Sequence, residues 1–191
     1  MDSLVFSEMW NLIEQSNIVD TRGEFSNELL IAIFWEESQF KNIEQLQFES
    51  GGRLRAVGFG QVQGESMEVV NALYKAKRHH YNRESVLGNN LWSVDLTVDY
   101  LRHLRTGSRF STKRSILCKY AAGQPEFMAS AGTKESVDCW MVCEKILLGA
   151  KGNFTSEVIL NALKAAVPAI KKRGEVPSQI AGGGYSGVLG F

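Results

Sequence analysis

Two adjacent carboxylates, Glu36 and Glu37, stand in the stretch FWEESQF, at the end of a run whose apolar residues leave them no polar face. A carboxyl group held against apolar surface is desolvated. Desolvation disfavours the ionised form and raises the pKa, which is what a general acid working near neutral pH requires. On a helix turning roughly 100° per residue, Glu37 shares a face with Leu30, Ile33 and Phe34, while Glu36 falls beside Leu29, Ala32 and Ile33, a thinner apolar arc. Glu37 is therefore the carboxylate expected to point at the core or into a cleft cut into it. The alternative is a frayed helix end with both carboxylates in water.

A second chemistry-bearing stretch follows. AVGFGQVQ sets Gly58 and Gly60 around Phe59, with Gln61 behind them. Two glycines so close in a short extended segment mark a bulge or the close approach of a ligand to backbone. A Gln at that place offers a donor and an acceptor together, as an N-acetyl group needs. Other chemistries find less support. His79 and His80 are sequence neighbours, His103 is distant, and no His/Cys spacing resembles a zinc site, so neither metal nor cofactor is expected. Cys118 and Cys143 read as mid-helix residues on apolar faces rather than activated nucleophiles, and no glycine-rich loop has nucleotide-binding spacing.

The elements that must position these residues are mostly helical. Periodicity marks helices over Ser3–Ser16, Asn27–Glu37, Ser66–Arg78, Leu91–Arg105, Thr112–Ala122, Lys134–Leu148 and Ser156–Lys172. Ser26, Ser66, Ser111 and Ser156 are placed as N-caps, and Pro168 should kink or end the last helix. Between the second and third helices, IEQLQFESGGRLRAVGFGQVQ reads as a small β-hairpin turning at Gly51-Gly52. The fold class expected is α+β, mainly helical, with one domain over residues 1–174 and a glycine-rich tail over 175–191 that is flexible or docked as a loop.

Composition narrows the partners. The 191 residues suit one domain and are 44% hydrophobic; Lys plus Arg and Asp plus Glu both number 21. Balanced charge argues against a partner held by phosphate electrostatics, so nucleic acid is not expected. The one basic cluster, Lys75, Lys77, Arg78, His79 and His80, reads as a solvated helix end. No apolar run is long enough to span a bilayer, and MDSLVFSEMWNLIEQSN lacks the basic and apolar regions of a signal peptide. The chain is expected to be made in the cytoplasm, without membrane insertion, and to be a monomer. Cys118, Cys139 and Cys143 read as buried thiols, with a disulfide from Cys118 to one of the others left open. Trp10, Trp35, Trp92 and Trp140 are core by periodicity, with room for one of them to floor a ligand site.

Three of these elements together resemble a known family. Glu37-Ser38-Gln39-Phe40 is similar to the E-S-x-F that ends the catalytic helix in the lysozyme-like group of soluble lytic transglycosylases and goose-type lysozymes. Ala56-Val57-Gly58-Phe59-Gly60-Gln61 resembles that group's G-A-x-G-L-M-Q element, and Tyr120-Ala121-Ala122-Gly123 its A-Y-N-A-G. The resemblance covers roughly Glu28 to Gly123. It implies a lysozyme-like fold with the hairpin beside a glycan-binding groove, and a muramidase cleaving the β-1,4 bond between N-acetylmuramic acid and N-acetylglucosamine in peptidoglycan. Carried over by position, Glu37 is the catalytic acid. Ser38 ties the helix end to the hairpin, Phe59 and Gln61 line the cleft, and Tyr120 orients Glu37.

Departures from the pattern bear on mechanism. Lys119 stands where the family has a small residue and Ala121 where it has Asn, and the segment from Phe40 to Ala56 is longer. A hydrolase needs a second carboxylate, roughly 5–5.5 Å from the acid for retention or roughly 6.5–9.5 Å for inversion. Glu49, just before Gly51-Gly52, is the candidate, ahead of Glu44 and Glu65. A lytic transglycosylase dispenses with it and leaves a 1,6-anhydro product. The rival from another class is a wall-binding or structural module of a phage tail or secretion machine. An enzyme without a signal peptide would reach the periplasm as a phage endolysin or as a type VI-type antibacterial effector, the latter with an immunity protein as partner.

Overall fold

The structure, a computed structural model, describes residues 6–17, 25–44, 55–107 and 112–150, together with 157–158, 161–162 and 164–165. Seven helices run through the described residues: α1 (Phe6–Asn17), α2 (Asn27–Ser38), α3 (Gly64–Leu73), α4 (Arg83–Gly88), α5 (Asn90–Gly107), α6 (Lys113–Ala122) and α7 (Ala131–Gly149). None is long and apolar enough to cross a membrane.

α2 is the axis of the main core. Leu29 through Phe34 are buried without interruption, so the helix has no wet face and must be enclosed; α7 and α1 pack against it. Its start is fixed as the sequence suggests. The Ser26 hydroxyl accepts from the Leu29 N–H at 3.2 Å and donates to Glu144 of α7 at 2.5 Å, and Lys113 of α6 grips the same carboxylate at 2.5 and 2.6 Å. Its end is a tight C-cap. Gln39 and Phe40 are both left-handed, at φ 55° and 58°, and their N–H groups return to Trp35 and Phe34 carbonyls.

The other elements hold with adjusted boundaries. α3 opens at Gly64, two residues ahead of the expected Ser66 cap, because the Ser66 hydroxyl instead donates to Tyr100 of α5 at 3.0 Å. It stops at Leu73 rather than Arg78. α4 was not anticipated; Asn82 caps it through a reciprocal pair with Ser85. Thr112 rather than Ser111 caps α6, accepting from Ser115 N–H at 3.2 Å. Ser111, Ser156, Pro168 and the tail 175–191 lie outside the described residues.

The expected β-hairpin is not confirmed. Gly51-Gly52 lie outside the described residues, and the described part is two isolated bridges, Glu44 to Val57 and Val57 to Val62. Val57 and Val62 exchange both backbone hydrogen bonds at 3.0 Å and close a tight turn over residues 58–61. All three cysteines are free and buried, which removes the disulfide alternative.

The basic cluster is only in part solvated: Lys75 and His80 are exposed, but Arg78 and His79 are not. With α3 stopping early, Arg78 turns inward onto α5: its guanidinium pairs with Asp95 at 2.6 Å and Asp99 at 3.3 Å and donates to the Ser16 carbonyl of α1 at 2.6 Å. Tyr81 adds a 2.5 Å hydrogen bond to Asp99, and His79 bonds Asp95 at 2.8 Å while stacking on Trp92 at 4.2 Å. Breaking a buried pair by removing one partner leaves an uncompensated charge. Asp99→Ala is accordingly expected to cost about 3–5 kcal/mol in denaturant unfolding, whereas Glu44→Ala, in an exposed pair with Arg83, should cost under about 1 kcal/mol.

Candidate active site

The C-terminal turn of α2 carries both carboxylates into the interior. Glu37 is half-buried, and desolvation of its carboxyl end pushes the pKa up to about 8, so it is mostly protonated at neutral pH. It lies close enough to Tyr120 of α6 to raise the phenol pKa further, after burial, which is the larger cause. Glu36 is a correction to the wheel reading. It does not escape to water: desolvation first and the charge of Glu37 second hold it well above the ordinary carboxylate range. Its Oε2 is enclosed without a hydrogen-bond partner, and it lies near Cys139 and Cys143 on α7, whose thiols are raised by burial first and by Glu36 second. The apolar arc around Glu36 looked thin because it was counted on α2 alone; α7 supplies the rest.

The turn 58–61 is pinned to α5 and α6 by two hydroxyls, with a third packed against it. The Phe59 N–H donates to Ser93 Oγ at 2.8 Å. Gly58 has φ +84°, and a Cβ there would stand 2.6 Å from the same Oγ. At Gly60 a Cβ would collide with Thr97 Oγ1 and Tyr120 Oη. The missing side chain lets the Tyr120 hydroxyl donate to the Gly60 carbonyl, with Thr97 hydrogen-bonded to Tyr120 beside it. Tyr120 is further held by Tyr100 and Trp140, ring centroids 5.6 and 6.1 Å away. The two glycines therefore serve close approach of protein to backbone.

Tyr120 thus lies near Glu37 and bonds the glycine turn, and the remaining site residues fall out as follows. Phe59 is 0% exposed and packs on Phe34 at 6.0 Å, so it supports the core from beneath and does not touch a ligand. Ser38 donates to the Phe34 carbonyl of its own helix at 3.1 Å and not to the hairpin segment. Gln61, at φ 48°, donates its amide to the Ile43 and Gly58 carbonyls at 3.0 and 2.7 Å. That fixes the turn and leaves only its carbonyl oxygen for a ligand. Glu49 lies outside the described residues. Glu44 is gripped by Arg83 at 2.6 Å on both oxygens and by Arg55 at 3.5 Å; the Arg83 hydrogen bonds lower its pKa. Glu65 is exposed.

Ser93, Thr97 and Asn42 are site-building residues that sequence reasoning missed. The signal was present in LWSVDLTVDYL: two small hydroxyl residues four apart in an otherwise filled helix, a pattern that fits a close neighbour with no side chain. Asn42 donates to the Val86 carbonyl at 2.8 Å and to Asn90 at 3.2 Å, tying the segment after α2 to α4 and α5. No protein-family model, curated protein or solved structure matches the chain.

Two expectations follow from this geometry. A folded-state pKa above the unfolded value means that the folded protein binds more protons between the two. The stability contributed by protonated Glu37 is complete below about pH 4.5 and is lost as pH rises through about 8. Tm should fall over that window, and Glu37→Gln should flatten the fall, measured by calorimetry from pH 5 to 9. Gly60→Ala should destabilise by about 1–3 kcal/mol through overpacking against Thr97 and Tyr120, read by denaturant unfolding.

Proposed function

We propose that the chain is a peptidoglycan-cleaving enzyme of lysozyme-like architecture, cutting the β-1,4 bond between N-acetylmuramic acid and N-acetylglucosamine with Glu37 as general acid. The observation that carries this reading is the Glu37 carboxyl: desolvated, protonated until about pH 8 and set beside Tyr120. A general acid must hold its proton at working pH and release it to a leaving group in reach. Glu37 gives its proton to the glycosidic oxygen as the bond to the muramic acid C1 breaks. Tyr120, anchored on the Gly60 carbonyl, fixes the wall opposite the acid.

The electrophilic C1 is then captured in one of two ways. In the hydrolase, a second carboxylate activates water, and Glu49 is the residue for that role. In the lytic transglycosylase, the muramic acid C6 hydroxyl attacks C1, its proton passes back to Glu37, and a 1,6-anhydro sugar leaves. Glu44 has both oxygens engaged by Arg83 and is not free to activate water, so the hydrolase route rests on Glu49. A wall-binding module without catalysis would have no use for a carboxyl held protonated at neutral pH. Action at the periplasmic cell wall, as an endolysin or an exported effector with its immunity protein, accords with such a substrate.

The test is mass spectrometry of soluble products from purified peptidoglycan, with wild type and Glu37→Gln in parallel. Reducing muropeptides would mark a hydrolase and anhydro-muropeptides a lytic transglycosylase. In either case Glu37→Gln should lose roughly 10²–10⁴-fold in rate. The wild-type rate should fall about tenfold per pH unit above about 8, as the acid loses its proton. No product from wild type, or full activity in the variant, would overturn the reading.

A further inference from the structure

A phenol beside a carboxylate can give its one proton to it, and such a hydrogen bond favours the ionised form and lowers the carboxyl pKa. Tyr120 stands beside Glu37, yet its proton goes elsewhere: the hydroxyl donates to the Gly60 carbonyl. That bond requires glycine. A Cβ at residue 60 would take the space of Tyr120 Oη and Thr97 Oγ1 together, so both oxygens crowd the backbone of the turn. The buried Thr97 hydroxyl supplies a hydrogen bond to the phenol oxygen. The ring has no room to swing away, because Tyr100 and Trp140 flank it with centroids 5.6 and 6.1 Å distant. Nor can the turn retreat. The Phe59 N–H is held by Ser93 at 2.8 Å, and Val57 and Val62 exchange both backbone hydrogen bonds at 3.0 Å.

Glu37 registers the result. Burial alone raises its pKa, and no hydrogen bond or cation among the described residues opposes the rise. The titratable groups that feel its charge are Glu36 on its own helix and Tyr120 on α6. We propose that Gly60 is a positioning residue for the Glu37 centre: by admitting the Tyr120 hydroxyl to its carbonyl, with Thr97 as buttress, it keeps the phenol from donating to the carboxyl. Glu37 then keeps its own proton for a leaving group, a consequence that rests on the reading of Glu37 as the general acid. The direction of the Tyr120 hydrogen bond does not depend on that reading.

The experiment is a pH titration of the full chain followed by NMR of the side-chain carboxyl carbons, with Glu37→Gln to assign the Glu37 resonance. Wild type, Tyr120→Phe, Gly60→Ala and the double variant are compared. Tyr120→Phe should leave the Glu37 midpoint where wild type has it, at about 8, since no hydrogen bond to the carboxyl is lost. Gly60→Ala expels the phenol from the carbonyl and frees its proton for the carboxylate, so the midpoint should fall by about 1–2 pH units. Adding Tyr120→Phe to Gly60→Ala should bring the midpoint back, which a merely structural effect at residue 60 would not do. A Tyr120→Phe midpoint above that of wild type would show the phenol donating to Glu37 and would overturn the proposal. So would a Gly60→Ala midpoint equal to wild type, or a lowered one that persists in the double variant. If Gly60→Ala does not fold, the Tyr120→Phe comparison still decides. None of these readings needs substrate, so an inactive wild type would overturn the peptidoglycan reading and leave this proposal to its own result. With active enzyme, the alkaline limb of the pH–rate profile should move down by the same interval in Gly60→Ala and stay in place in Tyr120→Phe.

Discussion

An α-helix with six consecutive buried residues, Leu29 to Phe34, cannot lie on a surface. Each of its five large apolar side chains gains about 1.5–3 kcal/mol when fully removed from water, so the fold must enclose α2 on all sides. α1, α7 and the turn at residues 58–61 are arranged around it, and whatever follows Phe34 is drawn in with it. Trp35 packs edge-on to Phe40 at 5.3 Å, and the left-handed cap at Gln39 and Phe40 turns the chain back before it can reach solvent. Glu36 and Glu37 are desolvated because they occupy the one turn between that enclosed run and its cap. Neutralising a carboxyl is far easier than burying it ionised, so protonation limits the penalty.

α5 shows how one helix serves several neighbours at once. Ten residues in succession, Ser93 to Arg102, are buried, yet half of them are polar. Val94, Val98 and Leu101 join the α2 core, and Leu96 and Tyr100 join a second core beneath α3 and α4. Ser93 and Thr97 meet the glycine turn, while Asp95 and Asp99 meet Arg78. Four faces with four chemistries erase any amphipathic stripe, and Ser93, Asp95 and Asp99 each meet a specific partner on a neighbouring segment. The turn that carries Gly60 is thereby held between α5 and α6, and Tyr120 is fixed relative to Glu37 through backbone rather than through a flexible side chain.

The sequence made α2, its Ser26 cap and the buried Glu37 legible because those depend on local periodicity and on one short polar acceptor. Tyr120 near Glu37 was legible only through resemblance, since nothing local relates α6 to α2. Phe59 was misread because the glycines flanking it suggest an open binding loop, whereas they make room for Ser93 and Thr97 from a helix more than thirty residues away. Arg78 was misread for the same kind of reason: KAKRHH looks solvated until the early end of α3 and the Asp95/Asp99 pair on α5 are known. α4 was invisible because six residues with a strong cap carry too little periodicity to be seen.

The chain buries charge in two ways, and the difference separates scaffold from chemistry. Arg78 cannot deprotonate, so the fold surrounds it with Asp95, Asp99 and the Ser16 carbonyl, and that arrangement is the same at any pH at which the carboxylates stay ionised. Such a network can hold α1, α5 and the segment after α3 in register, but it has no proton to give. Glu37 meets no cation in its burial, and its energetic resolution is a proton that rests on the carboxyl near neutrality and leaves at modest cost when a stronger acceptor develops nearby. A glycosidic oxygen accumulating charge as its bond breaks is such an acceptor. A cation placed beside Glu37 would stabilise the ionised form, lower the pKa and take that proton away at neutral pH. Burial without a cation among the described residues keeps the Glu37 carboxyl protonated near neutrality, the state that the proposed role as general acid needs, and it follows from the same apolar helix that drew the carboxyl inside.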